Sequence, residues 1–162
     1  MFASLLTLSR FLLALWVFHE VVQQGRYTFA SFLIALGALT DFLDGWVARR
    51  FGQSSRLGAH LDHIGDKFFV LVVLTAFYLT GRVDLLPLML LAVREVLIAL
   101  FRFYGLAGAV NGFGKVKTAV EFAALLLLCY SPFWGNLLLW VAVFLAYCSA
   151  VLYLKKPLRV GF

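Results

Sequence analysis

The sequence predicts an all-α integral membrane protein with six transmembrane helices in a single domain, residues 1–162. Hydrophobic residues make up 64% of the chain and charged residues only 14%, whereas soluble domains carry about 25% charged residues. A spanning helix needs about 20 mostly apolar residues, so a chain of this length with short connections accommodates about six of them. That leaves no room for a second domain.

The apolar segments and the breaks between them define the elements. Helices are predicted at residues 3–23, 28–50, 57–81, 84–105, 113–131 and 134–155. The breaks, in order, are Gly25, residues 52–55, Gly81, residues 105–112, and the Ser131-Pro132 pair, all rich in helix-breaking residues. The first segment is predicted to be a retained helix and not a cleaved signal peptide, because Arg10 interrupts it and no small-residue cleavage site follows Glu20.

The distribution of basic residues predicts the orientation in the membrane. Eight Lys or Arg residues fall on one side: Arg49, Arg50, Arg56, Lys115, Lys117, Lys155, Lys156 and Arg159. The other side has Arg26 and Arg82. Because cytoplasmic loops carry the excess of positive charge, both termini are expected in the cytoplasm, in a multi-pass protein of the inner (cytoplasmic) membrane.

The net charge of +6 is not read as a sign of nucleic-acid binding, since no basic aromatic platform is visible. Anionic membrane lipids and anionic substrates are the expected partners. Cys129 and Cys148 lie in apolar segments without metal-ligand spacing, so both are expected to be buried structural residues.

Four of the chain's eight acidic residues are concentrated between positions 41 and 66. Asp41 and Asp44 are three residues apart on the second predicted helix, so they share one face. Asp62 and Asp66, four apart on the third helix, share another. Because the connection is short, the two helices are expected to be antiparallel neighbours whose acids meet near the cytoplasmic end.

Such a concentration of carboxylates in a membrane requires cations. A charge within the bilayer costs at least about 2.5 kcal/mol, and neighbouring carboxylates also repel one another. Oxygen ligands of this kind suit Mg²⁺ or Mn²⁺ better than zinc. The alternative is a structural set of carboxylates in salt bridges to Arg49, Arg94 or Lys67.

The acidic motif resembles the signature of the CDP-alcohol phosphotransferase family at every defined position. The matching residues are Asp41, Asp44, Gly45, Ala48, Arg49, Gly58, Asp62 and Asp66. Residues 5–10 resemble the family's N-x-L-T-x-x-R entry, Arg94-Glu95 with Arg102 resembles its R-E-(x)6-R segment, and residues 114–118 resemble G-K-x-K-T. The last two are most similar to the branch that uses sn-glycerol 3-phosphate.

The resemblance implies the CDP-alcohol phosphotransferase fold and a homodimeric membrane enzyme. Such an enzyme moves a phosphatidyl group from CDP-diacylglycerol to an alcohol, here sn-glycerol 3-phosphate, and releases CMP. By similarity, Asp41, Asp44, Asp62 and Asp66 hold the divalent ions, and Thr7, Gly45, Ala48, Arg49 and Gly58 line the nucleotide pocket. Asp66 is the general base by similarity, whereas spacing alone does not distinguish it from Asp62.

The basic residues beyond the motif are interpreted as a grip on the acceptor's phosphate. Arg94 and Arg102 are eight apart and can face one side of the fourth helix, and Lys115 and Lys117 begin the fifth. Guanidinium and ammonium groups pair well with phosphate oxygens. The alternative is that Arg94 or a lysine pairs with Glu95 or Glu121.

Two other functions stay open at this point. The first is a family member that uses another acceptor, such as inositol phosphate or serine, or another CDP-lipid donor. A small cation transporter is the second, because buried carboxylates and helix breaks also occur in transporters. The lack of inverted repeats and the placement of all four acids toward one side disfavour it.

Overall fold

The computed structural model describes the backbone of residues 2–51, 56–104 and 112–155, and the side chains of residues 8–44, 46, 64–101, 104 and 115–152. Within these ranges it contains six α-helices, one π-helical turn and no strand. The helices are α1 (Phe2–His19), α2 (Tyr27–Phe51), α3 (Arg56–Leu79), α4 (Leu85–Phe103), α5 (Gly112–Tyr130) and α6 (Pro132–Lys155). The predicted all-α fold is confirmed.

The first predicted helix differs from the observed one at its end. Helix α1 stops at His19, and the chain continues as a π-helical turn, Glu20–Gln24, up to Gly25. Gly25 has a φ of 63°, a left-handed conformation that residues with a Cβ rarely adopt. The Arg26 N–H then donates to the Glu20 carbonyl at 3.0 Å, which closes the helix end.

The turn between α3 and α4 uses the same chemistry. Gly81 has a φ of 72°, and the Arg82 N–H donates to the Phe77 carbonyl at 2.9 Å. At the last break, α6 begins at Pro132, two residues before its predicted start at 134. Proline is favoured in the first turn of a helix because its missing N–H would have no intrahelical partner there.

Helix α1 lies beside both helices that carry the acidic motif. It packs extensively against α3 and also against α2, while α5 packs against α6 and α2. Helices α2 and α3 were expected to be direct neighbours, but within the described residues α3 packs mainly on α1, and α2 on α5 and α1, and they approach each other where the Phe69 ring lies against Gly37. Fully buried apolar side chains fill the interior, including Val17, Ile34, Val73, Phe77 and Leu125. Because α1 packs against both α2 and α3, a side chain of α1 can contact both helices of the acidic motif.

The outer surface of the bundle is apolar. Phe144 on α6 is 69% exposed, and Phe42 on α2 is 64% exposed. Within the described chain, two segments are long and apolar enough to cross a membrane, Tyr27–Asp44 and Pro132–Leu152. Of the two cysteines, Cys129 is buried as predicted and Cys148 is half-buried, and neither is in a disulfide.

Candidate active site

One buried arginine gathers three of the four predicted metal ligands. Arg10 of α1 donates from Nη1 to Oδ1 of Asp66 on α3, and from Nη2 to Oδ2 of Asp44 on α2. The same Nη2 lies 3.5 Å from Oδ1 of Asp41. Acids from two helices therefore converge on a single guanidinium group.

Helical spacing explains the convergence on α2. Asp41 and Asp44 are three residues apart, so both side chains leave the helix on the face that meets Arg10. The Arg10 side chain is 2% exposed, whereas those of Asp41, Asp44 and Asp66 are 28%, 13% and 18% exposed. The guanidinium is thus enclosed, while each carboxylate retains access from outside.

The remaining residues of the motif lie on the same three helices. The backbone of α1 includes Thr7, that of α2 includes Gly45, Ala48 and Arg49, and that of α3 includes Gly58 and Asp62. Their side chains lie outside the described residues. The assignment of Asp62 to the metal site and of the other five to the nucleotide pocket therefore stays a prediction.

The donor chemistry of the acids fits a hard divalent ion. Carboxylate oxygens on two helices converge and are partly accessible, which suits the oxygen-only coordination of Mg²⁺ or Mn²⁺. Among the described side chains, no three His, Cys, Asp or Glu residues stand in a ready-made metal-binding arrangement. In this structure Arg10 is the cation that the three acids share.

A second ionic group lies close by and is centred on Glu95 of α4; we call it the Glu95 cluster. Its members are Lys67, Arg94, Glu95, Lys117 and Glu121. Arg94 Nη1 lies 2.8 Å from Glu95 Oε1, and Lys117 Nζ donates to the same oxygen. Lys67 Nζ is 3.1 Å from Glu95 Oε2, an ion pair without hydrogen-bond alignment.

The Glu95 cluster joins four helices. Lys117 also pairs with Glu121 along α5, at 2.9 Å. Arg94 Nε donates to the Ala146 carbonyl of α6 at 3.1 Å, and Nη2 is 3.4 Å from Ser149 Oγ. Because Lys67 follows Asp66 directly on α3, the cluster is linked through one peptide unit to the acidic site.

Of the four residues predicted to bind the acceptor's phosphate, three have described side chains, and these lie in different surroundings. Arg94 and Lys117 are buried within the Glu95 cluster, so the pairing proposed as the alternative is the one observed. Lys115 is exposed at the beginning of α5, and the side chain of Arg102 lies outside the described residues. Phosphate binding by these residues stays a prediction.

Sequence reasoning missed the contacts of Arg10 and Lys67. The alternative of salt-bridged carboxylates named Arg49, Arg94 and Lys67, yet Arg10 is the observed partner of the acids, and both Lys67 and Arg94 pair with Glu95. A signal was available, because Arg10 is the arginine of the entry motif and lies within an apolar helix, where an arginine needs a partner.

The converging carboxylates and the apolar helical bundle are the features expected of a CDP-alcohol phosphotransferase. The family model for CDP-alcohol phosphatidyltransferase matches residues 1–148, so the chain belongs to that family, as the motif predicted. The family and the apolar helices indicate a membrane protein.

Two curated proteins are similar to this chain over nearly its whole length. A CDP-diacylglycerol–glycerol-3-phosphate 3-phosphatidyltransferase of Shigella flexneri serotype 5b (strain 8401) is 34% identical over 169 residues, covering 96% of this chain and 90% of the relative. The protein of the same description from Escherichia coli (strain K12) is also 34% identical over 169 residues, covering 94% of this chain and 92% of the relative.

Proposed function

We propose that this protein transfers a phosphatidyl group from CDP-diacylglycerol to sn-glycerol 3-phosphate, forming phosphatidylglycerophosphate and CMP. The observation that carries the proposal is the convergence of Asp41, Asp44 and Asp66 in a chain that belongs to the CDP-alcohol phosphatidyltransferase family. The similar proteins named above are described as using this donor and this acceptor. No observation on the described residues favours another acceptor or a transporter.

The residues that would hold divalent ions are Asp41, Asp44, Asp62 and Asp66, with Mg²⁺ or Mn²⁺ as the ion. When bound, such ions shield the diphosphate and stabilise the negative charge on the leaving phosphate. The carboxylates themselves would hold the ions in place, because their oxygens converge from two helices and stay partly exposed.

Asp66 is proposed as the general base. The acceptor's hydroxyl oxygen forms a new bond to the phosphorus that carries the diacylglycerol, and the bond from that phosphorus to the bridging oxygen of CMP breaks. The Asp66 carboxylate takes the hydroxyl proton as attack proceeds, and CMP leaves with the bond's electron pair. A positioned carboxylate can accelerate such a step by about 10²–10⁴-fold.

The rest of the site is proposed from the resemblance to the family. Thr7, Gly45, Ala48, Arg49 and Gly58 would line the pocket for the cytidine and diphosphate. Lys115, exposed at the start of α5, and Arg102, near the end of α4, would reach the phosphate of the acceptor. Arg94 and Lys117 would support them from the Glu95 cluster.

The proposal includes the setting of the enzyme. All six helices would span the inner (cytoplasmic) membrane, with both termini and the active site toward the cytoplasm and membrane lipids around the apolar exterior. The protein would act as a homodimer. Crosslinking in membranes would test the homodimer. Protease accessibility of tagged termini would test the orientation in the membrane.

The decisive experiment is an assay of the purified protein in detergent with CDP-diacylglycerol, sn-glycerol 3-phosphate and Mg²⁺ or Mn²⁺. We expect CMP and phosphatidylglycerophosphate in equal amounts, and neither product when a chelator replaces the ion. Parallel reactions with inositol phosphate or serine as acceptor identify the alcohol. Turnover with one of these, but not with sn-glycerol 3-phosphate, would reject the proposed acceptor.

A further inference from the structure

We propose that Arg10 competes with the divalent ion for the carboxylate oxygens of the acidic site and thereby sets how tightly that ion binds. The inference rests on the proposed function, since it takes Asp41, Asp44 and Asp66 as ion ligands. Arg10 is in this sense a positioning residue: it acts on the ion through the ligands. Nothing in the acidic motif itself points to this role.

The contacts place the guanidinium among the ligands. Nη2 meets Asp44 and lies 3.5 Å from Asp41, both on α2, while Nη1 meets Asp66 on α3. The two terminal nitrogens therefore reach the acids of both helices at once. An ion that bridges α2 and α3 needs oxygens from these same carboxylates.

A supporting role would require a different arrangement. A residue that supports a metal ligand orients it through a hydrogen bond from outside the coordination sphere. Arg10 instead spans the carboxylates of two helices from an enclosed position, with its side chain 2% exposed. Because Mg²⁺ holds its oxygen ligands at about 2.0–2.1 Å in a nearly octahedral arrangement, the ion and the guanidinium would compete for the orientation of these carboxylates.

Charge favours the exchange once the ion is present. Arg10 brings one positive charge to three carboxylates, whereas a divalent ion brings two to the same oxygens. The ion and the guanidinium also repel each other at short range. The displaced guanidinium has a natural new partner in the phosphates of the donor, because arginine pairs well with phosphate oxygens.

The test measures ion binding directly, without turnover. Purified wild-type protein and Arg10→Gln are titrated with Mn²⁺, and free Mn²⁺ is followed by electron paramagnetic resonance. We expect the dissociation constant to be about tenfold lower in Arg10→Gln, because the ion no longer displaces a charged hydrogen-bond donor. Thermal unfolding should show Arg10→Gln below wild type in chelator, with the gap reduced at saturating Mn²⁺.

Arg82→Gln is the matched control. Arg82 is also an arginine that contacts the interior, but it donates to the carbonyls of Leu128 and Cys129 and stacks on the Tyr27 ring at 3.5 Å. Its loss should lower thermal stability equally with and without Mn²⁺ and leave the dissociation constant unchanged.

Weaker or unchanged Mn²⁺ binding in Arg10→Gln would overturn the competition, and weaker binding would make Arg10 a supporting residue. Absence of Mn²⁺ binding to both the wild-type protein and Arg10→Gln would overturn the ion site together with the competition, a result distinct from the first. If Arg10→Gln does not fold, the same Mn²⁺ titration is made with Arg10→Lys. Lysine keeps the charge but loses the two-pronged geometry, so its dissociation constant should also fall below that of wild type.

Discussion

Lys67 Nζ lies 3.1 Å from Glu95 Oε2, and this pair connects the helix that carries Asp66 to the middle of α4. Glu95 holds two further cations, Arg94 and Lys117, so one carboxylate collects positive charges from three helices. The orientation of α3 beside the acidic site therefore depends on a residue outside the family's acidic motif.

Replacing Glu95 by Gln should strongly destabilise the protein. The change keeps the shape of the side chain but leaves three mostly buried cations without their shared carboxylate, and breaking a buried ion pair costs about 3–5 kcal/mol. Thermal unfolding in detergent measures the loss. Asp84→Asn is the control, because Asp84 is exposed just before α4 and the ion pairs of exposed charges contribute less than about 1 kcal/mol. An equal loss of thermal stability in both variants would show that the Glu95 cluster contributes no more to stability than an exposed charge does.

Asp66→Asn should lower kcat by about 10²–10⁴-fold even at saturating Mn²⁺. A residue that only binds the ion can be compensated by raising the ion concentration, whereas a lost base cannot. Asp62→Asn is the matched variant, because it removes the nearest rival for the base. CMP release measured across a Mn²⁺ series separates the two. Recovery of Asp66→Asn at high Mn²⁺, without recovery of Asp62→Asn, would move the base to Asp62.

The sequence predicted much of this site because its signals are local. The three-residue spacing of Asp41 and Asp44 places them on one face of a helix whatever surrounds it, and Gly25 and Gly81 end helices through their own backbone conformation. Arg10 is different, since it contacts acids 34 and 56 residues away. Arg10 meets these acids because α1 packs against α2 and α3. The spacing of residues within one helix does not predict such packing.

The burial of Lys117 shows a second limit of the sequence. Counting basic residues at the ends of apolar segments treats each as exposed at the membrane surface, and it placed Lys115 and Lys117 together. In the structure Lys115 is exposed, whereas Lys117, two residues further along α5, is 1% exposed and pairs with Glu95 and Glu121. Side chains two positions apart on a helix point in nearly opposite directions, so Lys117 faces Glu95 on α4 while Lys115 faces outward.

Arg102→Ala should raise the KM for sn-glycerol 3-phosphate by about tenfold or more and leave kcat nearly unchanged, if Arg102 binds the acceptor's phosphate equally in the ground and transition states. The KM for CDP-diacylglycerol should stay the same. Arg26→Ala, which removes an exposed arginine at the opposite end of the bundle, is the control for a general effect of charge. A change confined to the KM for the lipid donor would assign Arg102 to the nucleotide pocket instead.

Gly135→Ala should destabilise the packing of α5 against α6. A Cβ at this position would lie 2.7 Å from the backbone nitrogen of Leu128 and 2.6 Å from its Cγ, which is closer than real Cβ contacts. Alanine favours a helix over glycine by about 0.5–1 kcal/mol, but overpacking costs about 1–3 kcal/mol, so the net effect should be a lower melting temperature. Val141→Ala, which trims an exposed apolar side chain on the same helix, should change it little. A melting temperature above that of wild type in Gly135→Ala would mean that the two helices separate easily here, and that close packing at Gly135 contributes little to stability.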